Sequence, residues 1–280
     1  MEIKAFLLAL LVLAISSCSS NQLKDQTADE KKAEVYYGQG TNELVKKNYA
    51  QALAYLIKSK ELNPKDSKTR NNLGMAYYFR DQVELAEQEL KAAISIDDKN
   101  SDAHLNLGSI YMEKNKLKEA RIQFEYALKD LTFPNQYRNY YNLGILSLKE
   151  GDRREAFDYL AKAIKEKLDY CPAHFKLGEM YAEEFRYKQA LDAFKESGKG
   201  TCVSDPAPQY HQALALVNLN RPTEAKRKFQ EVMEKFSSTR YGTLAGIQIK
   251  KINNNDDTPT TRATQTEVIK ENQSAETPNF

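Results

Sequence analysis

The chain has 280 residues, 41 of them basic and 39 acidic, with 17 tyrosines, 11 phenylalanines, no tryptophan and three each of cysteine and histidine. Charge this nearly balanced, with no basic stripe and no interleaving of aromatics with Lys and Arg, argues against nucleic acid as a partner. The charges that are present, such as Glu84, Glu87 and Lys91, fall on what would be outer helix faces.

Met1 to Ser17 reads as an export signal. Lys4 gives a charged start, and Ala5 to Ile15 is an apolar run well short of the ~20 residues a spanning helix needs. Ile15-Ser16-Ser17-Cys18 then leads small residues into a cysteine, and this order resembles the lipobox of bacterial lipoproteins. The resemblance implies that Cys18 is lipidated and becomes the first residue of the mature chain; the alternative is a secretory signal with a chance cysteine. Ser19 and Ser20 follow with no Asp beside the cysteine, as in lipoproteins sent to the outer membrane, where the protein would face the periplasm. No second apolar stretch approaches membrane length, so the lipid would be the membrane anchor. Residues 18–32 are polar and charged and read as a solvated tether.

From residue 33 a small residue returns at near-constant spacing. Gly40, Gly74, Gly108, Gly144 and Gly178 are 34, 34, 36 and 34 residues apart, and an alanine stands 12 residues after each: Ala52, Ala86, Ala120, Ala156 and Ala190. Ala225 opens a sixth unit. The spacing predicts units over 33–66, 67–100, 101–134, 137–170, 171–204 and 206–239, each of two antiparallel helices that approach closely only where side chains are small. A glycine inside a helix costs about 1 kcal/mol relative to alanine, so its recurrence points to close packing that offsets the cost. Asn72-Leu73-Gly74, Asn106-Leu107-Gly108 and Asn142-Leu143-Gly144, each with its later alanine, resemble the tetratricopeptide repeat over nearly all of 33–239. That resemblance implies an all-α fold, a right-handed superhelical solenoid of about six helix pairs. The asparagines before Leu-Gly are expected to tie helices together. Leu131-Thr132-Phe133-Pro134-Asn135-Gln136 makes the third connection longer, and the loop is expected to protrude. Unit six has Ala213 in place of Gly and Arg221-Pro222 in its turn.

Leu244, Ile247, Ile249 and Ile252 mark a closing helix over Ser238 to Ile252, which would cover the last apolar face and end the solenoid at residue 252. Residues 253–280 are rich in Asn, Thr, Gln, Glu and Pro, cannot bury enough surface to offset ordering entropy, and are expected to be disordered.

Catalytic chemistry is not assembled in the sequence. His104 and His174 both stand four residues before a motif glycine, where a packing residue belongs, and His211 is alone on unit six. No His/Asp/Glu set has metal-ligand spacing, and there is no phosphate loop or serine elbow, so neither cofactor nor small-molecule substrate is expected. Cys171 starts the first helix of unit five and Cys202 follows the end of its antiparallel second helix, so the two should be neighbours. Outside the cytoplasm that favours a disulfide; two free thiols are the alternative.

In tetratricopeptide arrays the first helices line a concave groove. Counting outward from each motif glycine, its candidate residues are Tyr37, Leu44, Met75, Tyr78, Phe79, Leu105, Met112, Tyr141, Ile145, Leu148, Phe175, Tyr210, Leu214 and Val217. So apolar a row suits an amphipathic helix or extended hydrophobic segment of a protein partner; the same residues could instead pack between helices. A lipobox, six tetratricopeptide units, the insert Phe133-Pro134-Asn135-Gln136 and a short polar tail together resemble the outer-membrane lipoproteins that act as pilotins for the type IV pilus secretin, the PilF/PilW/Tgl group. The resemblance implies a non-enzymatic adaptor that binds a secretin subunit and helps it localise or assemble in the outer membrane. A barrel-assembly lipoprotein, similar in Phe236-Ser237-Ser238-Thr239-Arg240-Tyr241, or another periplasmic scaffold would share the architecture with a different client.

Overall fold

The computed structural model describes residues 26–256. The segment expected to be an export signal, Cys18 and the residues from 257 onward lie outside the described residues. Within them are thirteen α-helices and no strand. They are α1 (Ala28–Val45), α2 (Tyr49–Leu62), α3 (Ser67–Tyr78), α4 (Val83–Ile96), α5 (Ser101–Glu113), α6 (Leu117–Ala127), α7 (Gln136–Glu150), α8 (Arg153–Glu166), α9 (Cys171–Glu183), α10 (Tyr187–Ser197), α11 (Pro206–Asn218), α12 (Pro222–Lys235) and α13 (Arg240–Asp256). Consecutive helices pair, and each pair packs on the next, as a tetratricopeptide solenoid does.

The spacing of small residues is explained by the seams. A methyl group on Gly40, Gly74, Gly108, Gly144 or Gly178 would lie 2.6, 2.9, 2.6, 3.0 or 2.5 Å from Leu56, Leu90, Phe124, Leu160 or Phe194, the large residue of the paired helix. The partner alanines from Ala52 through Ala225 are fully buried. In unit six Ala213 takes the glycine's place and packs in one cluster with Ala225 and Phe229.

Each first helix stops the same way. The residue seven after the motif position has a left-handed backbone: Lys47, Asp81, Asn115, Gly151, Phe185 and Asn220, with φ between 56° and 88°. This conformation turns the chain back in one step. Several helix starts carry side-chain caps, although Asn48 and Asn135 at the starts of α2 and α7 do not cap. Asp66 accepts from the Lys68 and Thr69 amides, Asn100 from Ala103, Asp152 from Glu155 and Asp205 from Ala207.

Polar groups knit the units along the array. Asn72 Nδ2 donates to Thr41 Oγ1 (2.8 Å), Asn106 Nδ2 to Asn71 Oδ1 (2.9 Å) and Asn142 Nδ2 to Ser109 Oγ (3.0 Å). The asparagine before each Leu-Gly thus reaches back into the preceding unit.

Three boundaries differ from the sequence reading. α1 begins at Ala28 rather than 33, because Thr27 and Glu30 form a reciprocal capping box that starts the helix inside the expected tether. α13 runs to Asp256, past the expected end at 252. In the long third connection Leu131 projects into water, 88% exposed, but Phe133 is 6% exposed and pins the loop to the core instead of letting it stand free.

Candidate protein-binding face

The first helices contact more than their own partners. α3 touches α1 and α5, and α5 touches α7, so each is covered on three sides. The consequence is greatest in α5, where every residue from Ala103 to Met112 is buried. Five groove candidates are therefore corrected to core: Met75, Leu105, Met112, Ile145 and Tyr210, with exposures of 7%, 0%, 3%, 4% and 1%. Tyr210 is sealed by Phe229 and by Tyr241 of α13, whose rings lie 5.5 and 5.3 Å from its own.

Of the other candidates, Phe79 is exposed, and Tyr37, Tyr78, Tyr141, Leu148 and Phe175 are half-buried. Leu44, Leu214 and Val217 are half-buried beside them. Tyr78 donates its hydroxyl to Glu113 Oε2 of the next unit at 2.9 Å, and burial together with that carboxylate pushes its phenol well above the ordinary range. Phe79 is 42% exposed and stacks on Tyr49 at 4.8 Å. Phe175 lies 5.5 Å from Phe194 and 5.1 Å from His211.

Between units four and five the aromatics gather. Tyr137 and Tyr141 of α7 meet Tyr170 edge-on, with centroids 4.8 and 5.7 Å away. Arg138 stands in this cluster, its charge acting on the Tyr170 phenol, which burial drives upward. Glycine-anchored counting does not single Arg138 out; the signal was the run Tyr137-Arg138-Asn139-Tyr140-Tyr141, dense in aromatics around one cation.

The histidines are packing groups. His104 shares hydrogen bonds with Gln123 Oε1 and the Asp98 carbonyl and stacks on Tyr126, and His174 meets the Leu168 carbonyl in the same register. His211 is held down to about 4 by burial and, secondarily, by Lys176. No group of three or more metal-ligating side chains occurs among the described residues, and no helix there is long and apolar enough to cross a membrane. Cys171 and Cys202 are joined by a disulfide, with Cα atoms 6.3 Å apart.

These features define a tetratricopeptide-repeat scaffold, a class that holds protein partners and is in general non-enzymatic. The tetratricopeptide-repeat family matches the chain over residues 71–132, 137–170 and 209–239. Within that class the chain is similar to the type IV pilus assembly protein PilF of Pseudomonas aeruginosa, 24% identical over 205 residues that make up 71% of this chain and 81% of that one. The solved structure of Pseudomonas aeruginosa PilF superposes with a TM-score of 0.69 at 18% identity, over 79% of this chain and all of that one. PilW, described as a widely conserved type IV pilus biogenesis factor, superposes with a TM-score of 0.67 at 19% identity, over 75% of this chain and 96% of that one.

Proposed function

We propose that the protein is an adaptor in type IV pilus biogenesis, lipid-anchored through Cys18 in the outer membrane, that binds a secretin subunit and helps it localise or assemble. The carrying observation is the sequence match to PilF. It runs through the repeats and spans most of both chains, whereas a tetratricopeptide fold alone serves many clients. The Ile15-Ser16-Ser17-Cys18 sequence supports the anchor. The accessible row of Tyr78, Phe79, Tyr141, Leu148 and Phe175 offers apolar surface for a partner segment.

Affinity purification of the lipidated protein from mildly crosslinked, detergent-solubilised membranes, followed by mass spectrometry, tests the client. A secretin subunit should be enriched, and the enrichment should disappear in a Tyr78→Asp/Tyr141→Asp variant of unchanged helical content. Enrichment of barrel-assembly components, or of no outer-membrane channel subunit, would overturn the reading.

A further inference from the structure

Because consecutive helices run antiparallel, the second helix of each unit ends, and the first helix of the next begins, at one edge of the solenoid. The connections after units three, four and five each lift a large apolar side chain into water there. These are Leu131, Leu168 and Val203, which are 88%, 78% and 62% exposed. The fold does bury such side chains when it can, as Phe133 shows two residues from Leu131.

Successive connections adjoin along this edge. Asn135 Nδ2, after the Leu131 loop, donates to Asp102 Oδ1 of the preceding unit at 3.3 Å. Lys167, beside Leu168, lies over the Tyr137 ring at 4.7 Å, and the Cys171–Cys202 bond ties the Leu168 connection to that of Val203. The opposite edge has no such run. Val45 and Phe185 are exposed there, but they stand in units one and five, with Arg80-Asp81-Gln82, Lys114-Asn115-Lys116 and Glu150-Gly151-Asp152 in the turns between.

The place where the chain enters the fold indicates what covers the apolar edge. α1 starts on it: Ser59 Oγ, near the end of α2, donates to the Ala33 carbonyl at 2.8 Å and lies 3.0 Å from Thr69 Oγ1 in the first turn of α3. Residues 18–27 alone separate Cys18 from that start, and a stretch of this length spans at most about 35 Å. The opposite edge lies a helix length further off, about 20 Å for the 13 residues of α5.

We propose that this edge lies on the lipid surface holding Cys18, with Leu131, Leu168 and Val203 entering the boundary between headgroups and acyl chains. The proposal depends on the reading of Cys18 as lipidated. Each connection also holds a lysine, Lys65, Lys99, Lys129, Lys167 and Lys199, whose long stem lets the ammonium stay among headgroups while its apolar neighbour goes deeper. Aspartates of the same connections are engaged by backbone amides, as Asp66, Asp97, Asp130 and Asp205 are. Docked by this edge, the solenoid keeps its helix faces open to a protein partner.

Leu131→Cys, Leu168→Cys and, on the opposite edge, Phe185→Cys would each carry a polarity-sensitive dye in the full lipidated chain. Its own thiols are taken up by the lipid and by the Cys171–Cys202 bond. On vesicles of phosphatidylethanolamine and phosphatidylglycerol, the dyes at 131 and 168 should shift to the blue and be quenched by nitroxide-labelled lipid. The dye at 185 should keep its aqueous emission. Mass spectrometry of the same preparation reads the acyl group on Cys18. Acylated Cys18 with aqueous emission at either 131 or 168, or with an equal shift at 185, would overturn the proposal and leave the anchor standing. Unacylated Cys18 would remove the anchor and the proposal with it. A shift already present without vesicles, in the Cys18→Ser chain, would assign the edge to a second copy if dilution abolishes it, and to the chain's own tail if deletion of residues 257–280 does. A shift in native membranes but not on pure lipid would assign it to a protein. Each of these three assignments also overturns the proposal.

Discussion

A methyl group at Gly178 would sit 2.5 Å from the Phe194 ring, while one at Gly38, on the outer face of α1, would meet nothing within 4 Å. The two glycines share a residue type and have opposite energetics. Gly178→Ala should destabilise by about 1–3 kcal/mol through overpacking, and Gly38→Ala should stabilise by up to about 1 kcal/mol through helix propensity. Thermal melts of both variants beside the wild type check the pair; equal shifts would mean the seam relaxes freely. The period singled out Gly178 correctly because close approach of helices is written into residue size. His211 shows what period cannot reach. Phe175, Phe194, Tyr210 and Tyr241 surround it, and burial followed by Lys176 lowers it to about 4. The unfolded chain therefore takes up a proton more readily, near the ordinary value of about 6.5. The stability it contributes is full above about pH 6.5 and is lost as pH falls towards 4, by on the order of 2 kcal/mol. Denaturant midpoints between pH 7 and 4 should fall for the wild type and fall less for His211→Phe.

Helix pairs were legible as elements, and their ends were not. The first helix begins at Ala28 because Thr27 and Glu30 cap each other, a four-residue signal lying outside the glycine period. Phe133 anchors the long connection for a reason that its sequence, rich in turn formers, did not reveal: the ring joins the buried apolar cluster that includes Phe124, Ala127, Leu143 and Leu146. The Cys171–Cys202 bond ties the start of α9 to the one-turn 3-10 segment Gly200–Cys202 that follows α10, across 31 residues. Closing a loop of that size stabilises by roughly 3–4 kcal/mol in the chain-entropy model. Reduction, or the Cys171→Ser/Cys202→Ser variant, should lower the melting temperature and increase amide exchange in α9 to α11 first. Thiol labelling of the denatured, unreduced chain should find neither cysteine free.

A solenoid transmits stability only between neighbours, so its ends decide whether the whole persists. α13 covers the terminal pair: Ala245 and Ile252 are buried there, and Tyr241 closes over Tyr210. A chain ending at Phe236 should lose more helicity than α13 itself contains, expose apolar surface to a hydrophobic dye and melt at a lower temperature; loss confined to α13 would show that unit six stands alone. By itself the sequence determined the class of fold, the number of units, the neighbouring places of Cys171 and Cys202 and the asparagine ties, because all of these follow from local period and side-chain size. Only the tertiary structure separated Met75, Leu105, Met112, Ile145 and Tyr210, which are core, from Tyr78, Phe79, Tyr141, Leu148 and Phe175, which keep surface. An apolar side chain on a first helix has the same pattern whether it faces a groove or a neighbouring helix, and burial is set by how closely successive units pack, which is a property of the array rather than of any one repeat.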